Sequence, residues 1–120
     1  PGGLYAAILM KKARPDWDIS IFEQNREGDT FGFGVVFSDD TLDEFLTRDP
    51  ESYEMIRERF AYWDDIRIVR QGHEVRCGGN GFAGCSRVAL LDVLITRCRQ
   101  LGVRLTFGEV IDPTALGARF

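Results

Sequence analysis

Apolar positions along the chain switch between helical and alternating spacing, and the switches mark its elements. Leu4, Ala7 and Ile8 share one helical face, so residues 4–12 read as a helix. Lys11 and Lys12 fall in its last turn, where cations complement the helix dipole, and Pro15 blocks continuation. From Asp18 to Glu23, Ile19 and Ile21 alternate with Ser20 and Phe22, the signature of a short buried strand. A polar, glycine-containing loop follows over 24–34, then a brief extended piece, Val35 to Phe37. Asp39-Asp40-Thr41 opens a helix carrying Leu42, Phe45 and Leu46 on one face. Asp49-Pro50-Glu51 opens another, with a capping acid, proline at the first helical position and an acid in the first turn. Tyr53, Ile56, Phe60 and Trp63 continue it at helical spacing.

Ile66 to Val69 and Glu74 to Cys77 read as a hairpin turning at Gln71-Gly72, and Gly78-Gly79-Asn80-Gly81 as a flexible turn. Ser86 caps the clearest helix, whose stripe is Leu90, Leu91, Leu94, Ile95, Cys98 and Leu101, and Gly102 ends it. Val103 to Phe107 is a strand, and the tail from Asp112 carries little pattern. The predicted order is α-β-(αα)-(ββ)-α-β. A parallel sheet made from strands 18–23 and 103–107 calls for a further strand, before Pro1, lying between them. Without it each neighbour loses a ladder of backbone hydrogen bonds, so the chain reads as a fragment of a longer protein.

Composition narrows the function classes. With 44% apolar and 28% charged residues, the chain is an ordinary globular sequence of 120 residues, one domain or part of one. Net charge is −4 and the fifteen Lys and Arg are scattered, which argues against nucleic acid or a membrane surface as partner. No apolar run approaches the roughly 20 residues that span a bilayer. Three cysteines without a CxxC spacing, and one histidine, His73, make a Cys/His zinc site improbable and point to a reducing, cytoplasmic setting.

The chemistry concentrates at few places. Gly2 and Gly3 open the first helix, where unpaired N–H groups and a partial positive charge suit a pyrophosphate; equally, Pro1-Gly2-Gly3 reads as a structureless start. Glu23 stands twenty positions after Gly3 at a strand's C-terminal end, where a dinucleotide-binding βαβ unit places a carboxylate on the ribose hydroxyls; the plain alternative is a solvated acid. Gln24, Asn25 and Arg26 follow it, as adenosine contacts or solvent-facing residues. Arg87 sits in the first turn of the Ser86 helix, where a cation opposes the dipole; an anionic ligand accounts for it, as does an ordinary surface site. Phe31-Gly32-Phe33-Gly34-Val35-Val36-Phe37 either walls a flat ring or anchors a loop to the core. His73, beside a glycine in a turn, reads as exposed and inert, and no nucleophilic triad or carboxylate pair is identifiable.

Taken together, these residues resemble the FAD-dependent aromatic monooxygenases of the para-hydroxybenzoate hydroxylase type. Pro1-Gly2-Gly3-Leu4 is similar to the end of that family's GxGPxGL loop, Glu23 to its ribose-binding acid, and Ser86 to Leu91 to the helix start whose side chain reaches the FAD. Phe31 to Phe37 followed by Ser38-Asp39-Asp40-Thr41-Leu42 resembles the members acting on aromatic CoA thioesters, the salicylyl-CoA 5-hydroxylase and 2-aminobenzoyl-CoA monooxygenase group. Many relatives carry an arginine shortly before the glycine matching Gly34; here Gly32 and Phe33 occupy that stretch.

The resemblance implies an α/β fold. Residues 1–120 would be part of a Rossmann-like FAD/NAD(P)-binding domain truncated at both ends, its parallel sheet lacking the first strand, with a helical insertion and a small β-hairpin. It implies FAD as cofactor, NAD(P)H as electron donor, and a small aromatic substrate such as a CoA thioester. Gly2, Gly3, Glu23, Gln24 and Arg87 would hold the cofactor, and the fragment alone would be inactive. A Rossmann-type flavin- or nicotinamide-dependent oxidoreductase without oxygenase activity is the other reading of the same glycines and acid.

Overall fold

A computed structural model describes residues 1–79, 81–112 and 114. The chain is α/β and divides into two compact units, one of residues 1–31 and 91–120, the other of residues 32–90.

The first unit contains α1 (Gly2–Ala13), β1 (Ser20–Glu23), the larger part of a helix that begins at Arg87 and ends at Gln100, and a final strand, Arg104–Phe107. Lys11 Nζ donates to the Pro15 and Trp17 carbonyls at 2.9 and 2.5 Å, so the loop after α1 folds back on its last turn. The chain thereby reverses, and α1 packs against β1. The core is Ala7 and Ile8 with Val93, Leu94, Ile95, Cys98 and Val103. The long helix closes on Gly102 at φ +78°, with the Val103 N–H returning to the Cys98 carbonyl at 2.9 Å. That 6→1 bond is a Schellman end, and it requires the left-handed conformation that glycine adopts freely.

The two strands of this unit correct the expected sheet. Ser20 to Glu23 pair directly and in parallel with Arg104 to Phe107, register Ser20↔Arg104 through Glu23↔Phe107. Their facing backbone groups satisfy one another, so no strand lies between them. A strand expected between β1 and β7 is thus replaced by a direct ladder between the two.

In the second unit β2 (Gly34–Ser38), α2 (Asp39–Arg48), α3 (Pro50–Arg57), β3 (Ala61–Trp63), β4 (Ile66–Arg70), β5 (His73–Cys77) and β6 (Phe82–Ser86) precede the long helix, α4 (Arg87–Gln100); Arg104–Phe107 is β7. The caps at Asp49 and Ser86 are those read from the sequence, and Ser38 adds a third. Ser38 Oγ accepts from the Thr41 N–H at 3.4 Å, Asp49 Oδ2 from the Ser52 N–H at 3.3 Å, and Ser86 Oγ from the Ala89 N–H at 3.1 Å. The predicted hairpin is β4–β5, turning through Gln71 at φ +49° and Gly72 at φ +80°, the two positive values that a tight hairpin turn demands.

Two expectations fail in this unit. The helical spacing from Tyr53 to Trp63 does not hold: α3 ends at Arg57, and Ala61–Trp63 is a strand. The Arg59 and Phe60 N–H groups fold back on the Ile56 and Arg57 carbonyls, tightening the chain out of the helix. The aromatic pair Tyr62-Trp63 then joins β6, which also pairs with β2, in an antiparallel sheet of order β2-β6-β3. β6 itself was not foreseen, because its FAGCS sequence has no apolar alternation. Phe37, Leu42, Phe45, Tyr53, Ile56 and Phe60 cluster beneath this sheet. Asn80 and the tail from 115 onward, both read from the sequence, lie outside the described residues.

Candidate functional site

α1 begins at Gly2 with Pro1 as its cap residue, which supplies no side-chain bond to the first-turn N–H groups. The first turn carries no acid, so nothing of the helix itself neutralises its positive end. Gly2 and Gly3 are exposed, neither has positive φ, and a Cβ built on either meets nothing within 4 Å. Glycine is therefore required there neither by backbone conformation nor by the described residues. Two glycines in the first turn of a helix cost at most about 1 kcal/mol each against alanine, and they leave the peptide N–H groups there open.

Glu23 is the last residue of β1, the strand against which α1 packs. Its Oε1 accepts from the Asn25 backbone N–H at 2.9 Å and from Asn25 Nδ2 at 2.7 Å. Its main-chain carbonyl accepts from the Glu109 N–H at 3.1 Å, and that of Asn25 from the Gly108 N–H at 3.0 Å. The strand end is thus tied to the loop that leaves β7. Gln24 is exposed. Gly2, Gly3, Glu23 and Gln24 all belong to the first unit. Sequence reasoning left Asn25 between ligand and solvent; an amide two positions after the acid was the available signal.

Arg87 belongs to the other unit. It is the first residue of α4 and half-buried. Its N–H donates to the Phe33 carbonyl at 3.1 Å, and Nη1 lies 4.0 Å from where a Cβ on Gly32 would stand. Gly32, at φ +87°, is therefore both a conformational necessity and a close neighbour of the guanidinium. The aromatic-glycine loop divides between its two readings. Phe37 packs on Phe45 and Phe60 at centroid distances of 5.8 and 5.7 Å, whereas Phe31 is 73% and Phe33 100% exposed.

Around this loop an open concavity of about 510 Å³ is lined by Phe33, Val36, Arg59, Ala61, Trp63 and Gly84 among others. The Trp63 indole lies across Gly84, 3.1 Å from where a Cβ would be, and stacks on Phe82. His73 is exposed in the hairpin. All three cysteines are free, and Cys98 is fully buried with its thiol 3.4 Å from the Leu4 carbonyl; burial pushes that thiol up to about 11. Among the described residues no His/Cys/Asp/Glu group could hold a metal ion, and no helix is long and apolar enough to cross a membrane.

Comparison with known proteins finds relatives along most of the chain. Salicyloyl-CoA 5-hydroxylase of a Streptomyces species is 47% identical over 117 residues, covering 97% of the chain. The chain is similar to aromatic hydroxylases. A second relative, 3-hydroxy-4-methyl-anthranilyl-(aryl-carrier protein) 5-monooxygenase of Streptosporangium sibiricum, is 29% identical over 117 residues, 98% of the chain. Among solved structures, the tetrameric form of 2-methyl-3-hydroxypyridine-5-carboxylic acid oxygenase matches 88% of the chain with a TM-score of 0.75 at 22% identity, a likeness of fold. The chain spans about a quarter to a third of these proteins: 23%, 33% and 28% of their lengths. No protein-family model matches it. The resemblance read from the sequence is borne out.

Proposed function

We propose that these 120 residues are the N-terminal, FAD-binding part of a flavin-dependent monooxygenase that hydroxylates an aromatic acyl thioester. The observation that carries the reading is the 47% identity along 97% of the chain to a hydroxylase of salicyloyl-CoA. Both relatives are named for an aryl group borne on coenzyme A or on a carrier protein, which favours a thioester-bound ring over a free acid.

The residues fit the adenosine-diphosphate half of FAD in a Rossmann-like arrangement. The open first turn of α1, with Gly2 and Gly3, receives the pyrophosphate on peptide N–H groups. Glu23 accepts from the ribose hydroxyls, with Gln24 beside it; Arg87, in the other unit, is a separate candidate for an anionic group. When bound, the flavin supplies electron transfer from NAD(P)H and activation of O₂. Overall, ring–H + O₂ + NAD(P)H + H⁺ gives ring–OH + H₂O + NAD(P)⁺. The described residues contribute binding and orientation, not bond chemistry. No nucleic acid or membrane enters the reading, and a cytoplasmic setting suits free thiols.

The test uses the full-length protein. It should purify with the visible absorption of bound FAD. With salicyloyl-CoA it should consume O₂ and NAD(P)H in step with a product heavier by one oxygen. A folded protein that never takes up flavin refutes the proposal; one that takes up flavin and oxidises NAD(P)H without hydroxylating any aryl thioester points instead to a Rossmann-type reductase.

A further inference from the structure

We infer that Asn25 is a positioning residue, which holds the Glu23 carboxylate in the orientation that presents one oxygen to the ribose of a bound dinucleotide. The inference rests on the proposed role of Glu23 and adds a residue and a mechanism to it.

Both hydrogen bonds from Asn25 converge on the same atom. Its backbone N–H and its Nδ2 lie 2.9 and 2.7 Å from Glu23 Oε1. A carboxylate has two oxygens and about four acceptor sites. Here the chain occupies one oxygen twice and leaves Oε2 without a hydrogen bond among the described residues. An asparagine serving only as a turn residue bonds its own nearby backbone; this one spends its amide donor on an acidic side chain.

Asn25 is itself held. Its carbonyl accepts from the Gly108 N–H at 3.0 Å, and one step earlier the Glu23 carbonyl accepts from the Glu109 N–H at 3.1 Å. Gly108, at φ +75°, makes the turn after β7 that brings these N–H groups round. The parallel pair β1–β7 thus clips the loop after one strand to the loop after the other, and Asn25 passes that rigidity to the carboxylate. A glutamate at a half-buried strand end otherwise samples several rotamers, and a ligand would have to immobilise it on binding. With Oε1 fixed, Oε2 is pre-aimed, and the ribose meets an acceptor already in place.

The experiment compares ADP with 2′,3′-dideoxy-ADP as competitors for FAD on the full-length apoprotein. The two probes differ only in the ribose hydroxyls. The wild-type protein should prefer ADP by about tenfold, the worth of a charge-assisted hydrogen bond. Glu23→Ala should abolish the preference. Asn25→Ala should cut it to about threefold or less, while leaving the dideoxy probe's affinity and the melting temperature unchanged. The double variant should behave as Glu23→Ala alone.

In Asn25→Asp the amide donor is replaced by a like charge, so the preference should be lost at neutral pH. A residue needed only for folding would lower the melting temperature and the dideoxy probe's affinity along with the preference, whereas a positioning residue lowers the preference alone; this variant serves if Asn25→Ala is unstable. If Glu23→Ala removes the preference and Asn25→Ala keeps it, the positioning role is overturned and the ribose role of Glu23 stands. If Glu23→Ala keeps the preference, the ribose role fails and the inference fails with it.

Discussion

Replacing Gly3 with alanine should stabilise α1 and weaken cofactor binding, two effects of opposite sign from one methyl group. Gly3 is the second residue of the helix, its φ is not positive, and the added Cβ meets nothing within 4 Å. The described residues therefore offer no steric penalty. The gain is the helix-propensity difference, at most about 1 kcal/mol, since the full value belongs to helix interiors. That corresponds to a factor of about five in local opening. The loss is at the pyrophosphate, which must approach the first-turn N–H groups to about 3 Å and is displaced by a methyl group in that space. One charge-assisted hydrogen bond lost or stretched is worth about 1.5–3 kcal/mol, tenfold or more in affinity.

Both effects are read on the full-length apoprotein. Hydrogen exchange at the amides of Tyr5 to Ile8 should slow by up to about fivefold, and the FAD dissociation constant should rise at least about tenfold. If α1 gains protection while FAD binds as tightly as before, the helix N-terminus does not hold the phosphates. If α1 becomes less protected, the space over Gly3 is filled and the glycine is structural.

Other substitutions probe the scaffold. Asp49 is fully buried and accepts from both the N–H and the Oγ of Ser52. Asp49→Ala removes a helix cap and orphans a buried hydroxyl, which should cost about 2–3 kcal/mol in urea unfolding of residues 32–90, with Asp49→Asn costing less; equal losses would contradict the cap. Gly84→Ala forces a Cβ to 3.1 Å from two indole carbons of Trp63. It should destabilise by about 1–3 kcal/mol and alter tryptophan emission; an unchanged spectrum would mean that the ring does not lie over Gly84.

Cys98 supplies a pH dependence. Burial raises its thiol from 9.0 to about 11, so the folded chain binds this proton more tightly than the unfolded one. The contribution is complete below pH 9 and is lost as pH rises to about 11, reaching up to about 3 kcal/mol. Cys98→Ala should flatten alkaline unfolding over that window, and iodoacetamide at pH 8 should label exposed Cys77 while sparing Cys98.

The elements with local signals were legible in advance. The caps at Asp49 and Ser86, the Gln71-Gly72 hairpin turn and the stop at Gly102 each depend on a few consecutive residues, and each is found where its residues announce it. The glycine start of α1 and the acid closing β1 were legible for the same reason. What failed was non-local. Trp63 fits a helical stripe by spacing, yet Ala61–Trp63 is a strand because β6, some twenty residues on, offers it a ladder. The gap expected between β1 and β7 vanished because strand adjacency is chosen by backbone pairing across more than eighty residues.

The same division runs through the candidate site. By itself the sequence determined which chemical groups are available: open N–H groups at Gly2 and Gly3, a carboxylate at Glu23, a guanidinium at Arg87. Residue type and short-range spacing are enough for that, because capping, turn geometry and helix dipoles act within one or two turns of chain. Only the tertiary structure decided how the carboxylate is held. The clip from Gly108 and Glu109 that steadies Asn25 and Glu23 exists because β1 and β7 lie side by side. That adjacency is a property of the folded pair and of neither segment alone.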